Sequence, residues 1–130
     1  MEIGETLYVT RAEEFRAWLQ RHHEDKAEIW LIQYKKRTGK PSIGYLAAVE
    51  EAICFGWIDG FEKGIDAERY ATRFSPRRPK SHWTPANMER ARKMIAQGKM
   101  TPSGRAKLPK TDSRDTKKDA WTGNTPTAAT

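Results

Sequence analysis

The sequence has a single cysteine, Cys54, so no disulfide can form within the chain. That fits a reducing compartment. Histidine is nearly as scarce, with only His22, His23 and His82. No His or Cys pair has the spacing of zinc ligands, and two adjacent residues on a helix point about 100° apart. A metal site and a bound cofactor are therefore not expected. No apolar run approaches the roughly 20 residues that cross a bilayer. The opening segment MEIGETLYVT is acidic and lacks the apolar centre of an export signal. A cytoplasmic location is the expectation. The sequence also lacks G-x-G-x-x-G, a Walker A loop and G-x-S-x-G. Their absence takes away the motif evidence for dinucleotide binding, for P-loop phosphate binding and for a serine nucleophile elbow.

What is present suits one small domain. The chain has 130 residues, 37% of them apolar, with five Trp, four Tyr and four Phe to supply large buried areas. Its net charge of +7 is unevenly spread. Residues 1–34 carry four basic and seven acidic groups, and residues 41–68 one basic and six acidic. The loop KKRTGK at 35–40 has four basic groups and no acidic one. Residues 69–93 hold eight basic groups opposed only by Glu89. Charge segregated in this way makes a local field and points to an anionic partner, although charge runs are often only solvated faces.

The patterning predicts an α+β domain in the order βαβαββαα, over residues 1–108, followed by a disordered tail at 109–130. A short strand is expected at 5–9. Thr10 and Glu13 stand at capping-box spacing, ahead of a helix at 11–22 with Ala12, Phe15, Leu19 and His22 on one face. EIWLIQY at 28–34 reads as a strand buried on both faces, with Ile29 and Leu31 on one side and Trp30, Ile32 and Tyr34 on the other. A second helix is expected to start at Ser42 or Gly44 and run to Phe55, with Leu46, Val49 and Ile53 as its stripe and Gly56 as its stop. Residues 57–63 and 70–75 read as a hairpin. Thr84-Pro85 and Thr101-Pro102 each announce a helix by a cap followed by proline. From Pro109 the chain is polar, with Trp121 as the one large apolar residue, and it cannot offset its ordering entropy.

The stretch that carries chemistry runs from Cys54 to Asn87. Cys54 falls at an apolar helix end and reads as a buried, inert thiol. Trp57 and Asp59 share a face of one strand, and Arg73 and Ser75 share a face of the next. An Asp59–Arg73 pair could be scaffold, or it could line a pocket roofed by Trp57 and Trp83. The candidate ligand-binding residues are Lys35, Lys36, Glu51, Trp57, Asp59, Arg73, Arg77, Ser81, Trp83 and Asn87. No catalytic residue can be assigned from them.

The run Val49–Gly60 (VEEAICFGWIDG), with Arg69-Tyr70, Arg73-Phe74-Ser75-Pro76-Arg77, Ser81-His82-Trp83-Thr84 and Asn87, resembles the YdeI/OmpD-associated family, also called OmdA-like or bacteriocin-protection proteins. The segment IWLIQYKKRTGKPS at 29–42 and the closing Gly98–Thr101 through Gly104 resemble it as well, so that the likeness spans residues 5–108. The resemblance implies a small bacterial protein linked to stress and to resistance against bacteriocins and cationic peptides. It brings no established reaction or catalytic residue.

Three readings stay open from sequence. In the first, a basic and aromatic surface binds an anionic ligand, either nucleic acid or a phosphorylated metabolite. In the second, a small enzyme or metabolite-responsive protein has a cleft lined by Trp57, Asp59, Arg73 and Trp83, with Glu51, Arg77 and Asn87 as further polar groups. The third is a scaffold without a small ligand.

Overall fold

In a computed structural model, the described residues are 2–109. The tail expected from 109 onward, with its Trp121, lies outside them apart from Pro109. The elements are β1 (Thr6–Leu7), α1 (Ala12–His22), β2 (Ile29–Tyr34), a 3-10 turn (Lys36–Thr38), α2 (Tyr45–Cys54), β3 (Trp57–Gly64), β4 (Arg69–Pro76), α3 (Pro85–Ala96) and α4 (Pro102–Lys107). This is the α+β order expected from patterning. The sheet runs β1-β2-β4-β3, with β1 parallel to β2 and the other pairs antiparallel. Among the described residues, no helix is long and apolar enough to cross a membrane.

The period-2 pattern of β2 sorts its side chains between two cores. Ile29 and Leu31 join Phe15, Leu19, Val49, Ile53, Trp57, Phe74 and Met94 in the larger one. Trp30 and Ile32 join Ala71 in a smaller one on the opposite face. The hairpin β3–β4 contains a β-bulge: Asp59 pairs with Phe74 and Glu62 with Thr72, leaving Gly60 and Phe61 opposite Arg73 alone.

Two local readings are corrected. The N-cap of α1 is Arg11 rather than Thr10, and the carboxylate that reaches back is Glu14, which accepts from the N–H groups of Thr10 and Arg11 at 2.9 and 3.2 Å. These bonds, not a Glu13 capping box, hold the Glu14 carboxyl below its usual range. Leu46 is half exposed, and the buried side of α2 is instead Ala48, Val49, Glu51, Ala52, Ile53 and Cys54. Gly56 does follow α2 in the left-handed region, at φ 78°.

The short helix α4 is bound to the end of α2. The Cys54 carbonyl accepts from the Thr101 N–H at 3.1 Å and from the Thr101 hydroxyl at 2.5 Å, and the same hydroxyl caps α4 through the Gly104 N–H. This docking sets Lys107 and Leu108 beside the segment that follows β4, where the candidate site lies.

Candidate functional site

Arg77 follows the last residue of β4, and its N–H donates to the Gly56 carbonyl at 2.8 Å. Its own carbonyl accepts from Lys107 Nζ at 2.6 Å. The side chain is folded inward to 2% exposure, which is rare for arginine. Its Cζ lies 3.7 Å from the centre of the Trp83 ring. Nη1 donates to Ser81 Oγ at 3.0 Å and to the His82 carbonyl at 3.4 Å. Nε and Nη2 are buried and have no partner among the described residues. Burial lowers the Arg77 pKa, and the nearby Asp59 charge opposes that shift. Trp83 is fixed from the other end, since its Nε1 donates to the Lys107 carbonyl at 3.2 Å. Arg77, Trp83 and Lys107 thus hold one another in place. Gly56 permits the arrangement, because a Cβ there would lie 2.7 Å from Lys107 Cγ and 2.9 Å from the Ser103 carbonyl oxygen.

Trp83 also walls an open cavity of about 540 Å³, bounded by Arg78, Pro79, Lys80 and Ser81 on one side and by Ala106, Lys107, Leu108 and Pro109 on the other. No acidic residue lines it, and three of the lining residues are cationic. The size falls within the range of small-molecule sites, about 300–1,000 Å³. One wall is a tight turn: the Ser81 N–H donates to the Arg78 carbonyl at 3.2 Å, Pro79 takes the second position, and Lys80 the third at φ 62°. That is the pattern of a type II turn, whose third position favours glycine. Lys80 is the only non-glycine at positive φ among the described residues. Lys80→Gly is therefore expected to raise stability by up to about 1 kcal/mol. Denaturant unfolding checks this, and a loss of stability would mean that the turn does not strain this lysine.

Near Arg77 lies a second polar group. Asp59 faces Arg77 and the Tyr45 phenol, whose pKa is raised first by burial and then by Asp59. The Arg90 guanidinium lies 5.7 Å from the Tyr45 ring centre and donates to Asn87 Oδ1 at 2.8 Å.

Of the residues selected from sequence, the structure gathers Asp59, Arg77, Ser81 and Trp83, with Asn87 at the margin through Arg90. It separates the others. Asp59 pairs across the hairpin with Phe74, and Arg73 pairs with Trp30, so Asp59 and Arg73 lie on opposite faces of the sheet. The expected Asp59–Arg73 pair does not exist. Arg73 instead meets Glu28 at 2.5 Å and Ser75 at 3.4 Å. Trp57 does not roof a pocket. It is buried in the larger core, edge-on to Trp18 at 5.7 Å. Glu51 is buried in an ion pair with Arg16 at 3.0 Å, between α1 and α2. Lys35 and Lys36 follow β2, at the end of the sheet where Tyr34 pairs with Arg69, whereas Arg77 leaves the opposite end of β4. Eight residues of strand, about 25 Å, separate the two ends. Cys54 is buried, and burial pushes its pKa up to about 11, which leaves little thiolate near neutrality.

The basic segment is also less bare than it reads. Of its eight cations, Arg69 pairs with Asp66 at 2.9 Å, Arg73 with Glu28 at 2.5 Å, Arg92 with Glu89 at 3.5 Å and Lys93 with Glu50 at 2.8 Å. Three of these four acids come from outside the segment. Arg78 and Lys80, exposed at the cavity, make no ion pair among the described residues.

Residues 7–107 match the family described as a domain of unknown function, DUF8412. The chain belongs to this family. The DUF8412 match takes in Asp59, the Arg77–Trp83 segment and α4 through Lys107, so the interlocked site lies within the family's own span. No curated protein and no solved structure matches the chain. Sequence reasoning did not reach Tyr45, Lys80, Arg90 and Lys107 as site residues. Pro79 flanked by Arg78 and Lys80 was a readable turn signal with two cations on it. Nothing local marks Lys107, which reaches Arg77 from thirty positions further along the chain.

Proposed function

We propose that this domain binds a small phosphorylated or carboxylated ligand in the cavity beside Trp83, with Arg78, Lys80 and Lys107 as its cationic rim. The observation that carries this reading is Arg77: buried, stacked on Trp83 and bonded through only one of its three nitrogens. An unsatisfied buried charge is costly, and such costs concentrate at ligand sites. An extended nucleic-acid face is less well supported, because half of the basic segment is spent on internal ion pairs. The motif likeness to YdeI/OmpD-associated proteins supports a setting in bacterial stress or bacteriocin resistance, where the ligand rather than a cationic peptide would be what is bound. A chain of net charge +7 repels such peptides at long range.

Calorimetric titration with pyrophosphate and with a single-stranded oligonucleotide tests the reading. Pyrophosphate is expected to bind, and a double Arg78→Ala, Lys80→Ala variant is expected to lose that binding. The oligonucleotide is expected to give a shallow log–log salt slope near −2, as for about three neutralised phosphates. A slope near −5, as for about seven, would mean that residues 69–93 act as an open nucleic-acid surface.

A further inference from the structure

We infer that the ligand of this cavity carries a planar aromatic ring as well as its anionic group, and that Trp83 is the platform on which the ring stacks. The inference rests on the anion-binding reading and adds the ligand's class, an aromatic phosphate or carboxylate of the size of a nucleoside monophosphate. Three observations lead to it.

The first is that the indole is immobilised before any ligand arrives. Arg77 lies 3.7 Å from the ring centre, and Nε1 is bonded to the Lys107 carbonyl. A side chain already ordered loses little freedom when something stacks on it, and preorganisation of this kind converts into affinity. The second is that Arg77 covers one face of the ring and does not line the cavity, whereas Trp83 does. The indole therefore meets a buried cation on one face and the open space with another part of its surface. A cation on one face draws π density towards itself, and the exposed side then becomes a better partner for an electron-rich ring. Stacking of a base on an aromatic side chain is sequence-tolerant and strong enough to dominate binding of a single nucleotide. The third is the division of the walls. Pro79, Ala106, Leu108 and Pro109 give the cavity apolar surface, and Arg78, Lys80 and Lys107 give it positive charge with no acidic residue among them. A ligand that is only anionic would leave the apolar wall unused. A ligand that is only aromatic would leave three cations unpaired.

Calorimetric titration of the full chain with adenosine 5′-monophosphate, ribose 5-phosphate and adenosine separates the two claims. The monophosphate is expected to bind at least about tenfold more tightly than either of the other two, as one stacked base contributes. Trp83→Leu is expected to reduce monophosphate affinity to that of ribose 5-phosphate measured in the same variant. Trp83→Phe keeps a ring and loses the Nε1 bond, so it is expected to retain the preference. If Trp83→Leu does not fold, the ratio of monophosphate to ribose 5-phosphate affinity in the wild type and in Trp83→Phe decides. Equal affinity for monophosphate and ribose 5-phosphate would overturn the platform and leave the anion reading standing. Adenosine binding as tightly as its monophosphate would overturn the anion reading and leave the platform standing. Failure of all three to bind would overturn both.

Discussion

Gly104→Ala is expected to cost about 3 kcal/mol, the upper part of the range for overpacking a tight contact. A Cβ at this position would collide with the backbone carbonyl of Cys54, which cannot give way as a flexible side chain would. That carbonyl is already held by two bonds from Thr101, so α4 would have to lift off the end of α2. The thermal midpoint should fall by about 10 °C for a domain of this size. The cavity should suffer with it, because Ala106, Lys107 and Leu108 form its second wall. Gly39→Ala is the comparison. Gly39 has positive φ, at 71°, and a Cβ there meets nothing within 4 Å. Its cost should be only the conformational one, about 1 kcal/mol. A Gly104→Ala protein as stable as Gly39→Ala would mean that α4 does not dock against Cys54 in solution.

The order of elements was legible because each has a local cause. The alternation in IWLIQY, the cap-plus-proline pairs at Thr84-Pro85 and Thr101-Pro102, and Gly56 after an apolar helix all act within a few residues. The Asp59–Arg73 pairing was misread because it depends on register. Sequence shows that Trp57 and Asp59 share a face, but not which residue of β4 stands opposite. Asp59 falls opposite Phe74, and since neighbouring residues point to opposite faces, a difference of one position moves Arg73 to the other side of the sheet. The bulge at Gly60 and Phe61 is part of that register and has no local signature beyond one glycine.

The charge pattern misled for a related reason. Eight cations in twenty-five residues read as a single field, yet Glu28, Glu50 and Asp66 reach them from other elements. In the sequence Arg77 reads as one basic residue among many. Nothing in its neighbours marks it as buried, because its burial depends on Trp83, Gly56 and Lys107 meeting from three parts of the chain. The most informative residue of the site was thus visible as a type but not as an environment.

The central claim is that Arg77 is kept beneath Trp83 for a ligand and not for the fold. Arg77→Met tests it most directly, because methionine is long and apolar and can fill much of the same space. The wild-type side chain gains a stacking interaction of about 2 kcal/mol and the Nη1 bonds, but it keeps two buried N–H-bearing atoms unsatisfied. Unsatisfied buried donors cost about 1–3 kcal/mol, and apolar replacement of buried charges is often neutral or stabilising. The gains and losses should nearly cancel. Arg77→Met is expected to unfold within about 1 kcal/mol of the wild type, and its affinity for pyrophosphate and adenosine 5′-monophosphate to fall at least about tenfold, as a buried cation and a fixed indole are lost together. The contrary result is a loss of more than about 3 kcal/mol, the cost of breaking a buried charged network, with ligand affinity unchanged. That outcome would make Arg77 a structural residue and take from the cavity beside Trp83 the observation that carries its reading as a ligand site.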